Sequence, residues 1–305
     1  MWLLLAFASA ALLGFYDVCK KLALKGNAVI PVLTLNTLFC SLIFLPFIVL
    51  SATGHVSEQS LFFVPVCGWE VHKYILLKAV IVLASWLCGY LAIQNLPLTL
   101  VGPINATRPV MVLLGAIVVF GERLNLYQWL GVLLAIFSFY LLSRSGKKEG
   151  IDFRHNRWIA LAVLAAVFGA ISGLYDKYIL ASPEAGGVGL PRMTVQSFFM
   201  IYQFVMMCIV LFVVMKKQHF SLSTFHFSFS IFLISLFLSL ADFVYFYALS
   251  LPGALISVVS MIRRGSVLVS FTIGAFVFCE KNLRSKAIDL ALVLLSMLFL
   301  YLGSI

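Results

Sequence analysis

Two uninterrupted apolar stretches decide the fold: residues 110–120 read VMVLLGAIVVF and residues 290–302 read LALVLLSMLFLYL. A membrane β-barrel would need alternating strands of about ten residues, whereas runs of this kind predict helices. The rest of the chain has the same character, because 63% of its 305 residues are apolar, 10% are charged and the mean hydropathy is +1.10. This composition excludes a soluble globular domain and predicts an all-α membrane protein.

Ten apolar segments predict ten transmembrane helices, since a span needs roughly 20 apolar residues. The segments cover residues 2–24, 30–52, 74–95, 97–120, 125–143, 158–181, 193–215, 227–249, 252–279 and 285–303. A further apolar piece, residues 61–69, is too short to span and is expected to lie in the membrane interface. The polar stretch 144–157 predicts a basic linker between two five-helix repeats, residues 1–143 and 158–305.

Short motifs recur between the two halves at a nearly constant interval. GFYD at residues 14–17 recurs as GLYD at 173–176, and VFGER at 119–123 recurs as VFCEK at 277–281. Tyr90 and Arg108 correspond to Tyr245 and Arg263, both at an offset of 155. Because five spans is an odd number, a duplicated half must enter the membrane from the opposite side. The sequence therefore predicts two inverted five-helix repeats.

The region around the fourth predicted span carries the most recognisable pattern. It runs from RPV at residues 108–110 through FGERL at 120–124 to QWLG at 128–131, with a degenerate counterpart at 264–280. In this pattern the chain resembles the drug/metabolite transporter superfamily, EamA type, over essentially its whole length. The resemblance implies a ten-helix, multi-pass carrier in the cell (inner) membrane. DKY at residues 176–178 is similar to an Asn-Lys element of the nucleotide-sugar and sugar-phosphate branch, and only the second half shows it.

Of the 21 basic residues, 15 fall in loops or near helix ends, Lys78 and Lys286 among them, and six lie further inside predicted spans: Lys20, Lys21, Arg108, Lys177, Arg263 and Arg264. Arg108 and Arg263 each follow a proline at the start of a span by 11 residues, about 16 Å along a helix, which places both near the membrane midplane. An arginine at this depth costs ~2.5–3.5 kcal/mol on insertion scales, so it usually faces a cavity or a partner. Guanidinium groups hold phosphate or carboxylate in a two-pronged geometry.

We therefore expect Arg108 and Arg264 to bind the negatively charged end of a small metabolite, with Arg263 as the alternative to Arg264. Adjacent helical residues point about 100° apart, so Arg263 and Arg264 cannot share one role. Lys177 is a further candidate contact. The alternative interpretation is that these cations form buried ion pairs with aspartates and join helices.

Three of the aspartates in the predicted spans, Asp17, Asp176 and Asp242, differ in their spacing to basic residues. Asp17 precedes Lys20 and Lys21 by three and four residues, which predicts local pairing on one helix face. Asp176 and Asp242 have no basic residue at these spacings. A membrane carboxylate without a partner can take up a proton, so both are candidates for proton coupling, with an ion pair between helices as the alternative.

Aromatic residues with a few polar groups are typical of ligand pockets. Trp86 and Tyr90 are four residues apart in the third span, on one stripe that continues to Gln94, and Tyr245 is the counterpart of Tyr90 in the eighth. They are candidate pocket walls, although such a stripe can equally pack helix against helix. For the polar residues Asn36, Gln196 and Gln203, hydrogen bonds between helices are the simpler expectation.

Several chemistries lack their sequence signals. The five histidines lie in predicted loops or at span edges without metal-ligand spacing, and no phosphate-cradling loop or serine–histidine arrangement is found. We expect no enzyme activity, no cofactor and no nucleic-acid partner. The expected partners are a small-molecule substrate, the lipid bilayer, and a coupling proton or an exchanged metabolite.

Three functions remain open at this point. The first is a carrier of a phosphorylated or carboxylated organic anion that opens alternately to each side. The second is an exporter of amino acids or drug-like compounds, in which the arginines are paired internally. The third, from another class, is a membrane enzyme that acts on a lipid phosphate head group.

The loop charges and the resemblance predict opposite orientations. Loops after the odd-numbered spans carry eleven basic residues against four on the other side, which places both termini outside by the positive-inside rule. The family resemblance implies that both termini are cytoplasmic.

Overall fold

A computed structural model describes residues 2–111, 125–147, 153, 155–180, 183, 187–218, 226–250, 262–278 and 283–303. The described part of the chain is helical and contains no strand. Its helices are α1 (Trp2–Ala23), α2 (Val29–Ala52), α3 (Trp69–Asn95), α4 (Leu98–Ala106), α5 (Leu126–Lys147), α6 (Arg157–Leu180), α7 (Arg192–Gln218), α8 (Phe229–Ser250), α9 (Ser266–Val277) and α10 (Leu283–Leu302).

Six of these helices are long and apolar enough to cross a membrane: α1, α2, α3, α6, α7 and α8. The chain is therefore an integral membrane protein. Eight of the described helices begin and end within five residues of a predicted segment. The other two, α4 and α9, cover only parts of the predicted segments 97–120 and 252–279, and much of the remainder lies outside the described residues. A short helical stretch at residues 108–111 continues α4, and another at 262–264 precedes α9.

Helices of the first half pack mainly against helices of the second half. The closely packed pairs in the described part of the chain are α1–α8, α3–α6, α1–α9, α4–α6, α2–α8, α3–α7, α2–α7, α4–α9, α5–α10 and α4–α10. When each helix is exchanged for the one at the same place in the other half (α1 for α6, α2 for α7, and so on), all of these pairs except α4–α10 are reproduced.

The direction of each helix follows from contacts along the α1–α8 pair. Phe15 stacks on Phe237 with ring centroids 5.7 Å apart, and the Asn27 side chain donates to the carbonyl of His226 at 2.9 Å. The two helices are thus antiparallel, and residues 24–28 share one face of the bundle with the segment that precedes α8. We call this the first face. The opposite one, which carries residues 53–68, is the second face.

The segment at residues 53–68 packs on the ends of helices. Phe62 stacks between Phe47 of α2 and Phe243 of α8, at centroid distances of 5.1 and 5.2 Å, and Val64 is buried. Residues 53–68 form turns and irregular backbone, so the apolar piece 61–69 does not form a span. Its expected place in the membrane interface stays a prediction.

Gly14 marks a close approach of α1 to α9. A Cβ atom at this position would overlap Val269 and the carbonyl oxygen of Ser266. Gly173, its counterpart in the repeated motif, has open space around it. The shared motif therefore has different packing roles in the two halves.

Candidate functional site

Asp17 and Lys20 form an ion pair on one turn of α1. Lys20 Nζ lies 2.7 Å from Asp17 Oδ1, as the spacing of three residues allows. The same ammonium lies 4.2 Å from the ring centroid of Tyr16 and 5.1 Å from that of Tyr90 on α3, close enough for cation–π attraction. Tyr90 is only 1% exposed, so its ring covers the buried cation.

Lys21 has a different environment from its neighbour. Its ammonium donates to the carbonyls of Ile93 and Leu96 at the C-terminal end of α3. Free carbonyls at a helix C-terminus carry partial negative charge, which favours a cation there. Asp17 is thus engaged by Lys20, whereas Lys21 joins α1 to α3.

Asp242 of α8 forms an ion pair with Arg263, in the stretch before α9. Both side chains are largely buried, at 16% and 15% exposure. The Arg263 guanidinium also lies over the Tyr245 ring, 4.2 Å from its centroid. Arg263 is therefore held by a carboxylate and an aromatic face.

Asp176 of α6 pairs with Lys78 of α3. Lys78 was assigned to the loops from the sequence. It lies inside α3 instead, where it is 4% exposed. Its position within predicted span 74–95 was the signal that could have identified it. The adjacent candidate, Lys177, lies in α6, and its side chain is outside the described part of the structure.

Within the described residues, no carboxylate forms an ion pair with Arg108. Its Nη2 donates to Asn105 Oδ1 at 3.1 Å, one turn earlier in the same helix. Its buried Nε has no hydrogen-bond partner within the described residues. The guanidinium lies against Gly169 of α6, where a Cβ atom would overlap it, and within electrostatic range of Asp17. Arg108 therefore points into the interface between the two halves.

Arg264 is partly buried beside the other two arginines. Its charge interacts with those of Arg108 and Arg263, both repulsive, and with Asp17. In the ranges that the structure describes, no carboxylate lies within ion-pair distance of it. We call the following group the central charge cluster: Asp17, Lys20, Arg108, Asp242, Arg263 and Arg264. It contains four cations and two carboxylates, a net charge of +2.

The residues of the stripe predicted on α3, Trp86, Tyr90 and Gln94, lie in three different environments. Trp86 packs edge-on against Phe199 of α7, with centroids 6.1 Å apart. Gln94 donates to the carbonyl of Asn27 at 2.8 Å, near the first face. Tyr90 is the stripe residue that reaches the central charge cluster, and its counterpart Tyr245 reaches it from α8.

The polar side chains of α2 and α7 lie in helix interfaces. Asn36 accepts a hydrogen bond from Ser235 of α8 at 3.0 Å, and Gln196 donates to the carbonyl of Ser239 at 3.5 Å. Gln203 is fully buried, and its amide atoms have no hydrogen-bond partner in the described part of the chain. Asn36 and Gln196 thus form the expected hydrogen bonds between helices, whereas Gln203 forms none within the described residues.

Sequence reasoning missed three residues that the structure makes prominent. Asn105 and Gly169 position Arg108, and neither belongs to a recognisable motif. Lys286 was counted as a loop charge, yet it is fully buried in α10 and donates to Thr99 of α4 at 2.8 Å. Without Lys286 and Lys78, each side of the membrane has one basic loop residue fewer. The side with more basic loop residues stays the same, so the positive-inside rule still predicts the same orientation.

The described helices were expected to hold no metal ion. Among the described residues, no cluster of three His, Cys, Asp or Glu side chains could hold a metal ion. The glutamates of the repeated VFGER and VFCEK motifs, Glu122 and Glu280, lie outside the described residues.

Comparisons with known proteins agree with a transporter architecture. The family model described as the EamA-like transporter family matches residues 1–144 and ends next to the repeat boundary predicted at residue 143. No curated protein matches the chain. A solved structure described as "Crystal structure of protein" is similar over 98% of each chain, with a TM-score of 0.62 and 14% identity. That likeness concerns the fold alone.

Proposed function

Because residues 1–144 belong to the EamA-like transporter family, part of the drug/metabolite transporter superfamily, we propose that the protein moves a small organic anion across the cell membrane. The substrate is a phosphorylated or carboxylated metabolite. It binds near the midplane, and the protein opens alternately to each side as a secondary carrier. Members of this family are transporters, which favours this proposal over a lipid head-group enzyme.

One observation carries the proposal: Arg108 and Arg264 are both partly buried, their charges repel each other, and neither has a carboxylate within ion-pair distance among the described residues. A buried, uncompensated charge is strongly unfavourable, and two like charges repel each other. An anion between the two guanidinium groups would offset both costs. Their two-pronged hydrogen bonding suits phosphate and carboxylate oxygens.

The helix contacts support alternating access. Two inverted repeats can exchange conformations, so that one half adopts the arrangement of the other and the binding site faces the opposite side. All closely packed helix pairs between the halves except α4–α10 are reproduced when each helix is replaced by its counterpart, which supports such an exchange. The central charge cluster lies between these halves, so each of the two conformations can open it to one side of the membrane.

The exporter of amino acids or drug-like compounds remains the second candidate. It is favoured by the Asp242–Arg263 pair, an arginine neutralised internally, and by the buried rings of Tyr90 and Tyr245. In that case recognition would depend on the aromatic rings, and neutral compounds would compete with the substrate.

Uptake into proteoliposomes tests the proposal. The purified protein is first screened for thermal stabilisation by a panel of phosphate and carboxylate metabolites, since ligand binding to the native state raises the apparent stability. Uptake of the best ligand is then measured for Arg108→Gln, Arg264→Gln and the control Arg144→Gln, whose side chain is exposed in α5. We expect uptake to fall about tenfold or more in the first two variants only. Full uptake in both would contradict the proposal.

A further inference from the structure

Arg108 and Arg263 occupy corresponding positions in the two halves, but they have partners of different charge. Arg263 is paired with the carboxylate of Asp242, whereas Arg108 contacts the neutral amide of Asn105 at 3.1 Å. An amide can accept the hydrogen bond of a guanidinium without neutralising its charge. The two halves thus contribute one compensated and one uncompensated arginine.

Counting the pairs gives the charge that is left for a ligand. Asp17 compensates Lys20, Asp242 compensates Arg263, and the nearby Lys78 is compensated by Asp176. Lys21 is held at the carbonyl end of α3. Among the described residues, two positive charges of the central charge cluster remain without a carboxylate at ion-pair distance, those of Arg108 and Arg264.

We propose that the site is specific for dianions, and that the amide of Asn105 together with the carboxylate of Asp242 sets this charge. The inference rests on the proposed function and narrows its substrate class to phosphate monoesters and dicarboxylates. A dianion neutralises both free guanidinium groups. A monoanion leaves one positive charge buried in a medium of low dielectric constant, where it is strongly disfavoured.

Asn105 and Asp242 allow this charge to be changed with little change of shape, because Asn and Asp are nearly isosteric. Asn105→Asp supplies a counterion to Arg108 and lowers the net charge of the cluster by one. Asp242→Asn frees Arg263 and raises it by one. The double variant Asn105→Asp/Asp242→Asn keeps the net charge of the wild type but moves the compensated arginine from one half to the other.

Matched ligand pairs separate charge from shape. Phenyl phosphate is compared with methyl phenyl phosphate, and succinate with monomethyl succinate, at pH 8, where a phosphate monoester is doubly and a diester singly charged. Affinity is measured from the concentration dependence of the melting temperature of the full-length protein. We expect the wild type to bind the dianion of at least one pair about tenfold more tightly than its monoanion, the effect of roughly one compensated charge.

The variants then show whether the two residues set the preference. Asn105→Asp is expected to lose the preference for the dianion, and the double variant to regain it. A structural defect of either single variant would not be repaired by adding the second. Thermal unfolding without ligand shows whether each variant is folded.

Failure of this inference is distinguishable from failure of the proposed function. If the wild type binds both members of each pair equally, and Arg108→Gln abolishes that binding, the dianion inference is wrong and the anion carrier stands. The same conclusion follows if Asn105→Asp keeps the wild-type preference. If none of the four anions, and none of the wider metabolite panel, stabilises the wild type, both are wrong.

Discussion

At the scale of single residues, ion pairing decides which charges are available to a ligand. Asp17, Asp176 and Asp242 are each paired with a cation, and two of these pairs join different parts of the fold, Asp176 with Lys78 and Asp242 with Arg263. The cations without a carboxylate are therefore the ones to which a substrate anion is expected to bind.

The Lys78–Asp176 pair provides a prediction on stability. Replacing one partner leaves the other charge buried, so Lys78→Met and Asp176→Asn are each expected to destabilise the protein by roughly 3–5 kcal/mol. The double variant leaves no charge and is expected to lie closer to the wild type than either single variant. Thermal unfolding of the purified protein measures this.

An exposed pair on the same helix is the control for this prediction. Lys73 and Glu70 also form an ion pair on α3, but their side chains are 48% and 81% exposed. Lys73→Met is expected to change the melting temperature little, because water screens exposed pairs. A Lys78→Met variant as stable as Lys73→Met would show that the Lys78–Asp176 pair does not stabilise the fold.

How far the sequence predicts the site depends on the range of each contact. Asp17 and Lys20 are one turn apart, and Arg108 lies half a span from a proline, so spacing alone was informative. The Asp176–Lys78 pair joins residues 98 positions apart, and it depends on the packing of α3 against α6. No single-sequence pattern contains that information, and Asn105 and Gly169 were missed for the same reason.

At the scale of helices, the close approach of α6 to α4 positions Arg108. Gly169 leaves the space that the guanidinium occupies, and a methyl group there would displace it. Helix bounds themselves were well predicted, because long apolar runs between polar segments define them. The packing of residues 53–68 was not predicted, because it depends on Phe62 stacking between two helices.

Gly169→Ala is therefore expected to weaken anion binding by about tenfold or more, since small displacements of positioning groups have large effects. Gly173→Ala, one turn further on α6, is the matched control, because a Cβ atom there meets no neighbour. Both variants gain helix propensity, so a difference between them reports on Arg108 alone. Binding is measured by thermal shift, and equal affinity in the two variants would contradict the placement of Arg108.

At the scale of the whole molecule, the two halves contact each other through helix pairs that, except for α4–α10, are reproduced when the halves are exchanged. We propose that this reflects inverted repeats. The first helix of each half, α1 and α6, then ends on opposite faces of the membrane. This expectation is the same whichever face of the protein is cytoplasmic.

Cysteine labelling tests the inverted arrangement. In a variant whose native cysteines are replaced by alanine, single cysteines are introduced at Lys25, Pro183 and Lys216, all exposed. A membrane-impermeant reagent is applied to intact cells. Lys25→Cys and Lys216→Cys, both on the first face, are expected to be either both labelled or both protected, and Pro183→Cys is expected to show the opposite result. Labelling of Lys25→Cys and Pro183→Cys from the same side would contradict inverted repeats.

The central claim is that Arg108 and Arg264 bind the substrate anion together. Selenate, a tetrahedral dianion, is soaked into crystals of the protein, and the anomalous scattering of selenium locates it. We predict an anomalous peak within hydrogen-bond distance of both guanidinium groups, between the two halves. A peak that contacts neither arginine, or no peak in the interior of the bundle, would contradict it.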